Sequence, residues 1–141
     1  IGVTILDPSS ISANVVQLYV DADNITIQDI TIQNASQAIR FEINGGTIDS
    51  TDIVRVSMEN NTSRAIEIHN NTTVTTLLID ECNFDNTIHG IRLSSSGHLE
   101  GARIDDSTFS NNAIGVYVAN DGSVSTMMDM AVRRNSFNNH T

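Results

Sequence analysis

Lysine and tryptophan are absent from this 141-residue chain, and proline and cysteine each occur once. Because there is no lysine, arginine supplies all seven basic side chains, against seventeen acidic ones, and the formal net charge is −10. Binding to nucleic acid regardless of its sequence needs a cationic surface, and anionic lipids attract polybasic segments. The composition therefore excludes nucleic acid as a partner and offers no basic segment to a lipid surface.

The single cysteine, Cys82, excludes an intramolecular disulfide, and its place in an apolar column predicts a small buried thiol. The chain also lacks an apolar run of the length that a transmembrane helix needs, so we predict no membrane insertion. It begins within a strand-like stretch, Ile1–Ile5, and has the length of one domain. We expect residues 1–141 to form a single domain that is a fragment or module of a longer protein.

An internal repeat dominates the pattern of the chain. Asparagine recurs at intervals of 26, 26, 25 and 28 residues, at Asn34, Asn60, Asn86, Asn111 and Asn139. Two positions before each asparagine stands a large apolar residue: Ile32, Met58, Phe84, Phe109 and Phe137. Five positions earlier stands another: Ile27, Ile53, Ile79, Ile104 and Val132. Two columns that match five times at a near-constant period indicate a repeat architecture.

Each repeat contains short alternations of apolar and polar residues, which predict strands, and residues that favour turns. The second strand has an inward pair in every repeat: Val16/Leu18, Ile39/Phe41, Ile66/Ile68, Ile91/Leu93 and Val116/Val118. A third apolar column follows the turn: Ile25, Ile48, Val74, Leu99 and Val124. In the last repeat we expect residues 127–130 to be an insertion that bulges outward. The pattern predicts an all-β solenoid of about five rungs of 23–28 residues, with three short strands per rung.

The asparagine column, the aliphatic stacks and the phrase Ala22-Asp23-Asn24-Ile25-Thr26-Ile27 resemble the single-stranded right-handed parallel β-helix of the pectate-lyase-like superfamily. The resemblance covers about residues 11 to 139. It implies that the five asparagines form a structural ladder, with side chains hydrogen-bonded inside one bend. It implies little about activity, because the superfamily includes lyases, hydrolases, epimerases, adhesins and fibre proteins.

The outward face of the second strand is the first candidate site. Its first row is Gln17, Arg40, Glu67, Arg92 and Tyr117, and its second row is Tyr19, Glu42, His69, Ser94 and Ala119. Arginine can form bidentate hydrogen bonds with the carboxylates of an acidic glycan, and tyrosine can pack on sugar faces. Glu67 or His69 could act as a base. The alternative is a ladder of charges that stabilises the register of the strands and has no ligand.

A second candidate site lies on the strand before the asparagine column. Two adjacent rungs bring together four carboxylates, from Asp80, Glu81, Asp105 and Asp106. Closely spaced carboxylates supply the oxygen ligands that Ca²⁺ prefers, and pectate lyases use such an ion. Arg55 and the pair Arg133/Arg134 flank the group, so neutralisation by arginine is the alternative.

Three functions are consistent with these sites. The first is an extracellular or cell-surface module that contacts polysaccharide through the Arg40 row. The second is a structural solenoid whose open ends associate into a fibre or pack on sister domains. Neither requires a cofactor. The third is a polysaccharide lyase or epimerase that uses Ca²⁺ at the carboxylate group. The sequence lacks the order of motifs and the long loops expected of such an enzyme, so the balance is against catalysis.

Overall fold

The computed structural model describes residues 4–6, 18–119 and 124–140, with the side chains described from Val20 onwards. These residues form eighteen strands and no helix, so none of the described ranges contains a helix that could span a membrane. The strands are β1 (Thr4–Leu6), β2 (Leu18–Val20), β3 (Ile25–Gln28), β4 (Ile30–Gln33), β5 (Gln37–Phe41), β6 (Thr47–Val54), β7 (Ser57–Glu59), β8 (Arg64–Ile68), β9 (Thr73–Asp80), β10 (Asn83–Asp85), β11 (His89–Leu93), β12 (His98–Glu100), β13 (Arg103–Asp105), β14 (Thr108–Ser110), β15 (Ile114–Val118), β16 (Thr126–Met128), β17 (Ala131–Arg133) and β18 (Ser136–Asn138).

The strands stack into three parallel sheets, and each turn of the chain adds one strand to sheets A and B and one long or two short strands to sheet C. Sheet A has the order β1-β4-β7-β10-β14-β18, and sheet B has the order β15-β11-β8-β5-β2. Sheet C contains β3, β6, β9, β12, β13, β16 and β17. This arrangement confirms the predicted parallel β-solenoid with three strands per rung. The described residues make about four turns, where about five were expected for the whole chain.

The core is a set of apolar columns that run along the solenoid. The predicted columns of Ile53, Ile79 and Ile104 and of Met58, Phe84 and Phe109 are in register and buried. The rings of Phe84 and Phe109 stack with centroids 4.3 Å apart. Gly90 lies beside this stack, and a Cβ there would stand 2.8 Å from the Phe109 ring and 2.6 Å from a backbone oxygen. Glycine is therefore needed at this position to admit the ring.

The predicted asparagine column exists, but its side chains are exposed. All five asparagines adopt the left-handed conformation, with φ between 52° and 58°. Asparagine enters this region more readily than most residues, which explains its recurrence at the bend. The side-chain contact between Asn86 and Asn60 is a surface hydrogen bond of 2.7 Å, from Nδ2 to Oδ1. The expectation of a buried ladder at these positions was therefore wrong.

The buried amides stand one residue later. Asn112 is fully buried, and its Oδ1 accepts hydrogen bonds from the backbone N and the Oγ1 of Thr87, both at 2.9 Å. Its Nδ2 donates to the carbonyl oxygen of Phe84 at 2.9 Å. Asn61 is equally buried and uses its Oδ1 to accept from the backbone N of Ala35 at 3.0 Å. These side chains satisfy backbone groups at a bend where the sheet ladder is interrupted.

The first rung is shifted from the predicted register. Leu18 pairs with Ile39, whereas the sequence pattern paired Val16 with Ile39. Val16 lies outside the described residues. Ile25 pairs with Thr51 and not with Ile48, so it does not belong to the third apolar column. The shift of two residues at Leu18 keeps each side chain on its face, so the apolar alternation could not reveal it.

The last rung also differs from the expectation. Thr126–Met128 is a regular strand, and Met127 pairs with Leu99 in the third column. Val124, the expected member of that column, is 72% exposed. Val118 pairs with Leu93 and Thr126 with His98, so the additional residues fall between 118 and 126. The sequence placed the insertion at 127–130, and part of its actual range, residues 120–123, lies outside the described residues.

Candidate functional site

The outward row of sheet B is in the predicted register. Arg40 pairs with Glu67, Glu67 with Arg92, and Arg92 with Tyr117. Tyr19 pairs with Arg40, so it extends this row and does not belong beside Glu42 and His69 as expected. Only the backbone of Tyr19 is described, and Gln17 lies outside the described residues. We call the surface formed by Arg40, Glu42, Arg64, Glu67, His69, His89, Arg92 and Tyr117 the arginine face.

Glu67 is the buried centre of the arginine face. It is 1% exposed, and its Oε1 lies 3.1 Å from Nη1 of Arg64. Its Oε2 lies 3.9 Å from Nε of Arg40, and Ser94 Oγ donates a hydrogen bond to its Oε1. A buried carboxylate needs such partners, because an unpaired charge in the interior carries a large desolvation cost.

Glu42 and His69 connect to this centre from the next position along the strands. Nε of Arg40 lies 3.0 Å from Oε2 of Glu42. The imidazole of His69 stands between two carboxylates, with Nε2 3.5 Å from Glu42 and Nδ1 3.8 Å from Glu67. The structure therefore brings together Arg40, Glu42, Glu67, His69 and Arg92, as the sequence pattern predicted.

Tyr117 and His89 form the aromatic margin of the face. Their rings stack with centroids 4.8 Å apart, and the guanidinium carbon of Arg92 lies 5.7 Å from the Tyr117 centroid. Burial, together with the charges of Arg92 and Arg64, lowers the pKa of His89. The imidazole is therefore neutral at pH 7 and can offer one donor and one acceptor.

Sequence reasoning missed Arg64 and His89. They pair in register on β8 and β11, three residues before Glu67 and Arg92. Strict alternation of inward and outward side chains would place Arg64 on the face opposite Glu67, and His89 on the face opposite Arg92. Ala65 and Ile66 are both buried, however, so two consecutive inward residues interrupt the alternation. The small residue at each equivalent position is the signal that could have revealed the break: Ala38, Ala65, Gly90 and Gly115. Burial lowers the pKa of Arg64, and its guanidinium stays charged.

The arginine face is cationic on an anionic protein. By formal charge, three arginines oppose two glutamates and leave one net positive charge, whereas the whole chain carries −10. Within the described ranges, five of its buried side-chain atoms have no hydrogen-bond partner: Arg64 Nε, Glu67 Oε2, His69 Nδ1, His89 Nδ1 and Arg92 Nε. Buried polar atoms are normally paired, so their concentration here sets this surface apart from the rest of the described structure.

The four carboxylates of the second candidate site do not form one ligand set. Asp80 and Asp105 are in register, but Asp105 is 1% exposed and contacts the guanidinium groups of Arg103, Arg133 and Arg134. Asp106 forms a bidentate pair with Arg134. The hydrogen bonds from Arg103 and Arg134 lower the pKa of Asp105 and Asp106, respectively. No group of three His, Cys, Asp or Glu residues in the described ranges is placed to hold a metal ion.

Comparison with known proteins finds no matching family model, no matching curated protein and no matching solved structure.

Proposed function

We propose that this chain is an extracellular or cell-surface module of the pectate-lyase-like superfamily, a right-handed β-helix, that binds an acidic polysaccharide through the arginine face. The observation that supports the proposal most strongly is the cluster of three arginines, Arg40, Arg64 and Arg92, on an otherwise acidic chain. Carboxylate and sulfate groups are the ligands that a planar guanidinium recognises best.

The spacing of the face suits a polymer. Successive rungs of a parallel sheet lie about 4.8 Å apart, so the row from Arg40 to Tyr117 repeats its contacts along the solenoid. An extended glycan lying along this row would place its anionic groups near Arg40 and Arg92. The Tyr117 ring provides a flat apolar surface for a sugar face, the packing mode in which a tyrosine keeps its hydroxyl in water.

The contacts of Glu67 support binding more than catalysis. Both of its oxygens already face cations or a hydroxyl of the protein, and the residue is almost inaccessible. A general base must reach the proton that it removes, within about 3 Å or through one water. Of the four carboxylates that a Ca²⁺-dependent lyase or epimerase would use, Asp105 and Asp106 are paired with arginines. We therefore do not propose the enzymatic alternative.

Removal of Arg92 tests the binding proposal. In native gels cast with polygalacturonate, the retardation of wild type should be strong at low salt and weaken as salt is added, because the contacts are ionic. Arg92→Ala should lose most of the retardation while its thermal midpoint changes little. Arg55→Gly is the matched control, because it removes one positive charge from an exposed left-handed position away from the arginine face and keeps the bend. Equal retardation of the two variants, or a wild type that migrates freely in gels with polygalacturonate, alginate and a sulfated glycan, would contradict the proposal.

A second candidate function is assembly by stacking of rungs. The last described rung exposes apolar side chains that belong to inward columns: Phe137, Val132 and Val118 are 47%, 46% and 40% exposed. The Phe137 ring continues the stack at 4.7 Å from Phe109, has the tilted His140 ring 6.0 Å away between centroids, and remains half-exposed. A further rung, from the same or another chain, would bury these faces.

Light scattering during size-exclusion chromatography tests this second candidate. Association through the exposed rung predicts a mass that grows with concentration, and Phe137→Asp should return the protein to a monomer. A monomeric mass for wild type at all concentrations would remove assembly of this chain as its function and leave the arginine face as the functional surface.

A further inference from the structure

A shallow groove of about 460 Å³ runs across three rungs at the bend between sheets A and B. Its lining includes Asn60 and Thr62 from one rung, Asn86 and Ile88 from the next, and Asn111 from the third. The first of these rungs contains one residue more than its neighbours, since Arg64 follows Gln37 by 27 positions and precedes His89 by 25. The backbone N atoms of Ser63 and Arg64 both donate to the carbonyl oxygen of Ser36, which marks a bulge there.

The groove presents amides in a row with an apolar residue beside them. Asn86 Nδ2 donates to Asn60 Oδ1, and Asn111 Nδ2 donates to Asp85 Oδ1 at 2.8 Å. These bonds use one amide atom of each side chain, so Asn60 Nδ2 remains a donor, and the Oδ1 atoms of Asn86 and Asn111 remain acceptors. Ile88 stands next to them and is 49% exposed. A donor and two acceptors in a row beside an aliphatic surface match the hydroxyls and the C–H faces of sugars.

The charge around the groove selects against anions. Its lining residues carry no formal charge. Glu59 and Asp85 of sheet A directly precede the groove residues Asn60 and Asn86, and both accept hydrogen bonds from serines of the same sheet. Their negative charge would repel an acidic glycan and would not repel a neutral one. From the amide row, Ile88 and this charge distribution, we propose that the groove is a second binding site, for a neutral oligosaccharide.

Glycine substitutions test the role of the amides in binding without changing the fold. Glycine adopts a positive φ without strain, so Asn86→Gly with Asn111→Gly keeps the bend and removes the two acceptors. The matched control is Asn71→Gly, at an exposed left-handed position outside the groove. Binding is measured by saturation-transfer NMR and titration with cellohexaose, xylohexaose and mannohexaose. The double variant should lose about tenfold in affinity for the hexasaccharide that wild type binds, the effect of two lost hydrogen bonds.

The same titration distinguishes this groove from the arginine face. Arg92→Ala should bind the neutral hexasaccharide as wild type does, and the double glycine variant should bind polygalacturonate as wild type does. Loss of affinity in the Asn71→Gly control equal to that of the double variant would overturn the proposal. So would a wild type that binds none of the three hexasaccharides. A failure of polygalacturonate binding alone would leave the groove supported.

Discussion

Asn112→Ala is expected to lower the free energy of unfolding by about 3 kcal/mol. It leaves buried backbone groups without a hydrogen-bond partner, and each such group costs roughly 1–3 kcal/mol. The backbone N of Thr87 and the carbonyl oxygen of Phe84 would both lose their partner. Thr87 lies at the bend between β10 and β11, where no neighbouring strand can replace the amide, and Phe84 lies in the buried interior of β10. Urea titration followed by circular dichroism measures the effect, provided that the slope of the transition stays constant.

Asn86 provides the control for this prediction. Its side chain is exposed and makes one surface hydrogen bond, so the cost of Asn86→Ala is mainly that of holding alanine at a φ of 52°. We expect a loss of about 1 kcal/mol for Asn86→Ala and almost none for Asn86→Gly, which accepts this backbone conformation. If Asn86→Ala destabilised the protein as much as Asn112→Ala, the assignment of the buried amide column would be incorrect.

Glu67→Gln should cost about 3 kcal/mol of stability, because removal of one partner from a buried ionic cluster leaves the remaining charges uncompensated. The glutamine keeps the shape of the side chain and can still accept a hydrogen bond from Ser94. The loss of stability would therefore result from the missing charge and not from a cavity. Arg64 would suffer most, since its Nη1 lies 3.1 Å from the carboxylate and part of its side chain is buried. The measurement is again the urea midpoint, at pH 7 and low salt.

Glu42→Gln is the matched substitution at the edge of the same cluster. The side chain of Glu42 is 32% exposed, against 2% for Glu67, so its pair with Arg40 is screened by water and should contribute less than about 1 kcal/mol. A Glu67→Gln protein as stable as Glu42→Gln would show that the cluster is not electrostatically coupled. A bound polyanion should stabilise Glu67→Gln more than wild type, because it would replace the missing negative charge.

Much of the fold could be predicted because each inward column has a member in four or five successive repeats. Ile53, Ile79 and Ile104 mark one column at a near-constant interval, and any other register would place them in water. The row of Arg40, Glu67 and Arg92 follows from the same register. Arg64 and His89 were missed because two consecutive inward residues interrupt the alternation, and a period-two pattern assigns such residues to the wrong face.

The sequence by itself determined the period, the parallel stacking and the place of the bends, since these depend on apolar columns and on residues that tolerate a positive φ. Only the tertiary structure decided which asparagine of each adjacent pair is buried. Asn111 and Asn112 are alike as residues, and it is the direction of the chain at the bend that turns one amide outward and the other toward Thr87. The structure also decided that Asp105 lies among three arginines, because side chains from separate rungs meet only when the solenoid closes.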